Sequence, residues 1–159
     1  MSLTEEAKKG LEGMGSFAGT PHTLAACEPG ERLECELTTL DRVGCEFTRF
    51  ALSADRLSSA TMDQLKRVSE ALAARLTYLL EPIKPIEQDA DQCVIQMRSV
   101  PPQREADVTS YYEVLVRRGG ELTLCRWQKA PGGVRQALPA QVTREVFLRL
   151  VGDFSAAAK

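Results

Sequence analysis

One histidine, His22, stands alone among 159 residues. A Ser-His-Asp or Cys-His mechanism needs an imidazole held beside its nucleophile by packed neighbours. His22 falls in a stretch broken by glycine and proline, so no nucleophile–base pair can be drawn around it. Long hydrophobic runs are missing too. Nothing approaches the roughly 18–20 apolar residues that span a bilayer, and the charged start, with Glu5, Glu6, Lys8 and Lys9, lacks the apolar stretch of a secretion signal. A cytoplasmic protein with no membrane contact is the default expectation.

Cysteine is present without a pattern. Cys27, Cys35, Cys45, Cys93 and Cys125 are odd in number and contain no C-x-x-C. They are expected to be reduced thiols packed as small apolar groups, and no metal site is predicted. Cofactor fingerprints are also lacking. Gly13-Met-Gly15-Ser-Phe-Ala-Gly19 brings its last glycine one residue too late for G-x-G-x-x-G, with no strand before it and no clean helix after it. Glu87, Asp89 and Asp91 alternate, but the glycine and remaining ligands of a calcium loop are absent; a solvated turn is expected there.

A net charge of −2 argues against nucleic-acid binding by the whole chain. The charge is uneven, however: residues 1–90 carry 15 acidic and 10 basic side chains, and residues 91–159 carry 7 and 10. Such asymmetry can steer a charged partner or favour self-association.

What is plainly there is a β-hairpin, Tyr111 to Trp127, turning at Gly119-Gly120. A two-residue turn at the glycines predicts that Tyr112 faces Trp127, Val114 faces Cys125, Val116 faces Thr123 and Glu113 faces Arg126. Upstream, Leu33, Cys35 and Leu37 alternate with Glu34, Glu36 and Thr38, the pattern of a half-buried strand, and Val43–Phe50 forms its partner. A helix opens at Thr61 with Gln64 at capping-box spacing. Its apolar stripe of Leu65, Val68, Leu72, Leu76 and Leu79 is expected to run until Pro82 stops it.

Strands are further predicted at Ile83–Gln88, which Pro82 and Pro85 restrict to a sheet edge, at Cys93–Val100 and at Val134–Leu138. A closing helix begins at Thr143, with Val146, Leu150 and Phe154 inward. Residues 1–30 are expected to be a flexible tail, and residues 31–157 a single domain. The order β-β-α-β-β-β-β-α has connections that are mostly too short for parallel crossovers. It predicts an α+β fold, with an antiparallel or largely antiparallel sheet of about five to six strands covered on one face by two helices. In outline this is similar to bacterial secretion chaperones, a likeness of architecture that covers no motif and departs from their element order.

Two candidate sites follow. A sheet covered on one side would expose Leu115, Leu122 and Leu124, an apolar surface for a homodimer or another protein chain. Arg98, Arg104, Arg117, Arg118, Arg126, Lys129 and Arg135 gather on the C-terminal strands, with Tyr111, Tyr112 and Trp127 between them. Arginine forks bind phosphate or carboxylate bidentately, so Arg98, Arg117, Arg126 and Tyr111 are the candidate anion-binding set. The leading expectation is a non-enzymatic interaction or chaperone-like adaptor. The alternative is an enzyme or sensor that binds a small anion.

Overall fold

The computed structural model describes residues 1–159. Its elements are α1 (Leu3–Met14), β1 (Phe17–Glu28), β2 (Glu31–Leu40), β3 (Gly44–Ala54), a 3-10 turn (Asp55–Leu57) and α2 (Met62–Arg75). There follow β4 (Ile83–Asp89), β5 (Val94–Ser99), β6 (Gln103–Glu105), β7 (Val108–Arg117), β8 (Glu121–Lys129), β9 (Gln136–Ala137), β10 (Ala140–Thr143) and α3 (Arg144–Ala157). All pairings are antiparallel, in the order β1-β2-β3-β8-β7-β5-β4. Three short strands sit off this path: β10 on β3, β6 on β7 and β9 on β8.

The fold is therefore α+β around an antiparallel sheet, with ten strands and three helices where five to six strands and two helices were expected. The helices lie on one face: α1 over β1 and β2, α3 over β3, and α2 over β4, β5 and β7. At the centre Phe47 and Phe50 of β3 meet Phe147 and Phe154 of α3, edge to face for three of the pairs. One continuous core runs from Leu3 to Ala158.

The expected N-terminal tail is instead a helix and a strand. Ser2 caps α1 by accepting from the Glu5 N–H at 3.2 Å, while the Glu5 carboxylate accepts from the Ser2 N–H at 2.7 Å. Leu3, Ala7 and Leu11 are then buried on one stripe. The glycines that suggested disorder have structural roles. A Cβ at Gly10 would stand 2.5 Å from Leu24 Cδ1, so a side chain there would push the Leu24 tip aside, and Gly15 at φ 69° ends the helix.

The turn of the β7–β8 hairpin is one residue longer than predicted. Arg118, Gly119 and Gly120 form the loop, and Val116 faces Leu122, Val114 faces Leu124, Tyr112 faces Arg126 and Tyr111 faces Trp127. This register gathers Val114, Val116, Leu122 and Leu124 beneath the helices, whereas the predicted one split them between the two faces. Gly120 fixes it: its carbonyl accepts from the Ala54 N–H at 2.8 Å, with φ at 92°. A Cβ there would collide with the Ala54 carbonyl.

Leu122 and Leu124, expected on an open apolar surface, are thus fully buried in the core, and only Leu115 lies half-buried on the other face. Helix α2 also departs from expectation. Its capping box forms at Thr61 and Gln64, but it ends at Arg75 rather than near Pro82. Tertiary bonds claim the next turn: Tyr78 Oη donates to Asp153 at 2.8 Å, and Glu81 receives Arg126 at 2.9 Å. Leu76 and Leu79 remain buried, so the stripe identified the core correctly beyond the helix that carries it.

Candidate anion-binding cleft

Alternation along β6, β7 and β8 sorts their side chains to two faces. Arg104, Thr109, Tyr111, Trp127 and Lys129 point away from the helices. Gln103, Ser110, Tyr112, Arg126 and Gln128 point to the helix side. A cleft opens on each face of this end of the sheet.

The cleft on the open face has a volume of about 1000 Å³ and is bounded by β5, the β6–β7 hairpin and the turn Ala130–Arg135. Arg98, Arg104, Lys129 and Arg135 line it against one carboxylate, Asp107. Arg98, Arg104 and Lys129 have no ion-pair partner. The Arg98 guanidinium lies 4.6 Å from the Tyr111 ring centre, and its Nε is buried without any acceptor. Glu113, directly across the ladder from Arg98, pairs with Arg135 and forms no ion pair with Arg98. Its buried carboxylate accepts from Gln96 Nε2 at 2.7 Å and from Arg135 Nη1 at 2.8 Å.

Arg135 forms the far wall by folding back over the sheet, its guanidinium 3.9 Å from the Trp127 ring centre. Burial acts to lower its pKa, but hydrogen bonds with Tyr111 and Glu113 outweigh this and raise it, so the wall is a fixed cation. A buried hydrogen-bonding group without a partner costs about 1–3 kcal/mol, more when charged. The Arg98 Nε carries that deficit in a side chain that lines a cationic cleft.

The expected set of four is divided. Arg98 and Tyr111 meet in the cleft. Arg117 lies at the other end of β7, six residues or roughly 20 Å from Tyr111, in a shallow depression beside Glu87 and Asp89. Arg126 is on the opposite face. It is engaged by Glu81 at 2.9 and 3.4 Å, Gln103 at 3.0 Å and Ser110 at 3.2 Å, and it stacks 4.4 Å from the Tyr112 ring centre. Its expected partner, Glu113, is on the other side of the sheet, the direct result of the one-residue change in register. Arg118 is also engaged, donating to the Ala60 carbonyl at 3.2 Å.

The second cleft, of about 1010 Å³, is lined by this internally bonded Arg126 and by Glu46, Glu81 and Glu105. Elsewhere, Asp89 accepts from the Asp91 and Gln92 N–H groups at 3.0 and 3.1 Å, which makes the acidic run a closed turn. No three His, Cys, Asp or Glu side chains come together as metal ligands. The cysteines are free thiols. Burial raises the pKa of Cys35 and Cys125 and pushes Cys45 up to about 12, so these three stay protonated at neutral pH. His22 stacks on Phe17 at 3.8 Å on the edge strand β1, far along the sheet from the cleft. No helix is long and apolar enough to cross a membrane.

Comparison with protein-family models, curated proteins and solved structures gives no match.

Proposed function

We propose that the protein binds a small anion bearing phosphate or carboxylate groups in the cleft of Arg98, Arg104, Lys129 and Arg135, acting as a sensor or enzyme for that ligand. The observation that carries the reading is the buried, acceptor-less Nε of Arg98 in a cleft where Arg104 and Lys129 also lack an ion-pair partner, only Arg135 being paired, with Glu113. Tyr111 supports the guanidinium, its ring centre 4.6 Å away. The adaptor reading has less support. It relied on an open apolar sheet face, and two of its three leucines are core residues.

Titration calorimetry and thermal-shift measurements with inorganic phosphate, pyrophosphate, citrate and nucleoside triphosphates test the proposal. Binding is expected to weaken with salt, as screening requires. Arg98→Ala is expected to lower affinity about tenfold or more, since a charge-assisted hydrogen bond contributes about 1.5–3 kcal/mol and 1.4 kcal/mol is a factor of ten. Arg117→Ala, whose side chain does not line the cleft, should change binding far less than Arg98→Ala. A wild type that none of these anions stabilises, or Arg98→Ala binding as tightly as wild type, refutes the reading.

A further inference from the structure

The two edges of the sheet are protected very differently. On β4 the outer edge carries Pro85, a register irregularity between Pro85 and Glu87, and the charges Lys84, Glu87 and Asp89. These are the devices by which natural sheets prevent strand addition. On β1 the stretch Thr23-Leu-Ala-Ala-Cys27 has no charge and no proline, and its ladder with β2 is regular throughout. No element pairs with the outer side of β1, so its outward backbone N–H and C=O groups form an open row.

We infer that this row is the interface with a second copy of the chain, β1 pairing antiparallel with β1 of its partner about a two-fold axis at Ala25. The pairing is self-complementary, as a two-fold interface demands. Thr23 faces Cys27 of the other copy, Leu24 faces Ala26, and Ala25 faces itself. His22 then stands opposite Glu28, an imidazole against a carboxylate, and the arrangement occurs twice.

Pro21 and Pro29 fall opposite each other just beyond these pairs, where a residue without an N–H ends a ladder. Shifting the pairing by two residues brings one proline into the ladder and loses the His22–Glu28 match. Shifting it by one sets the buried Leu24 against the exposed Ala25 and puts the two helix layers on opposite faces. Among these neighbouring registers, the axis at Ala25 alone meets all three conditions.

Sedimentation equilibrium of the full chain is the test, with disulfide trapping to fix the register. The wild type is expected to sediment as a dimer. Ala25→Lys, on an exposed side chain, should halve the sedimenting mass with an unchanged circular dichroism spectrum, because two like charges would meet on the axis. Under diamide, Thr23→Cys should give a covalent dimer through the partner's Cys27. Adding Cys27→Ser should abolish it, since the two new thiols would lie about 13 Å apart along the strands. Ala25→Cys with Cys27→Ser should cross-link to its own copy. A wild type that stays monomeric up to millimolar concentration, a dimer that Ala25→Lys leaves intact, or a dimer in which Thr23→Cys fails to cross-link each overturns the inference.

Discussion

Two arginines two strands apart show how the same side chain takes opposite roles. Arg126 and Glu81 are each only 10% exposed at the side chain, and every bond Arg126 makes is internal. Truncating one partner of such a pair leaves the other charge buried alone, a loss of about 3–5 kcal/mol. Arg126→Ala is therefore expected to be strongly destabilised in urea unfolding, while Arg98→Ala should stay within about 1 kcal/mol of wild type because it removes a cation that nothing in the chain satisfies. An Arg98→Ala protein as unstable as Arg126→Ala would mean that Arg98 belongs to the framework and not to a ligand site. Residue types could be found in the sequence, since Arg98, Arg104, Lys129, Arg135 and Tyr111 all stood out as a cationic-aromatic group. Their division between faces could not, because it depends on a register that a glycine pair leaves open to two-residue and three-residue loops.

At the level of elements, that loop is held by Gly120, whose positive φ and close approach to Ala54 exclude any side chain. Gly120→Ala is expected to cost about 2 kcal/mol or more, from backbone strain of about 1–3 kcal/mol and the disturbed Ala54 hydrogen bond. Gly119, with open space around its Cβ position, should suffer from strain alone. Equal losses by chemical denaturation at the two sites would show that the β3 contact does not set the register. The elements that were legible announced themselves by short-range chemistry: the caps at Thr61 and Thr143, the alternation of Leu33 to Leu37, and the prolines of β4. Those that were missed had competing signals. α1 carries Ser2 and Glu5 at capping-box spacing, a cue overshadowed by its glycines, and Gly10 packs over the Leu24 side chain. β6 and β10 are three and four residues long, too short for any periodicity to register, whereas β9 falls within the strand expected at Val134–Leu138.

Across the whole molecule, a clasp joins the β1–β2 turn, the 3-10 turn and the last helix. Glu31, almost fully buried, accepts from Ser155 Oγ at 2.9 and 3.0 Å and from Arg56 Nη2 at 3.2 Å. Arg56 also donates to the Ala158 carbonyl. Burial works to raise the Glu31 pKa, but hydrogen bonds from Glu28, Ser155 and Arg56 together lower it. A carboxyl depressed on folding adds stability above its unfolded value, near 4.3, and that contribution is lost as pH falls through the folded value. Asp41, depressed by the Gly44 and Val43 N–H groups, acts in the same direction. Glu28 acts in the opposite one: its shared proton with Glu31 raises its pKa, so its contribution is present in acid and lost as pH rises through the raised value. The melting temperature should therefore fall between roughly pH 5 and pH 3, and Glu31→Gln should flatten that fall while lowering stability at neutral pH. A variant with the wild-type pH profile would exclude Glu31 as the source.

The two-sided sheet end has one more consequence, which concerns how the protein can change over generations. In β7 and β8 the odd-numbered side chains furnish one cleft and the even-numbered ones the other. A point substitution therefore alters one surface and is silent on its reverse, so the two can drift independently. An insertion or deletion of a single codon within either strand is another matter. It would exchange the inventories of both faces downstream of it, drawing Arg126 and its neighbours out of place together. Variation in this stretch thus acts on one face at a time in its residues and is fixed in length.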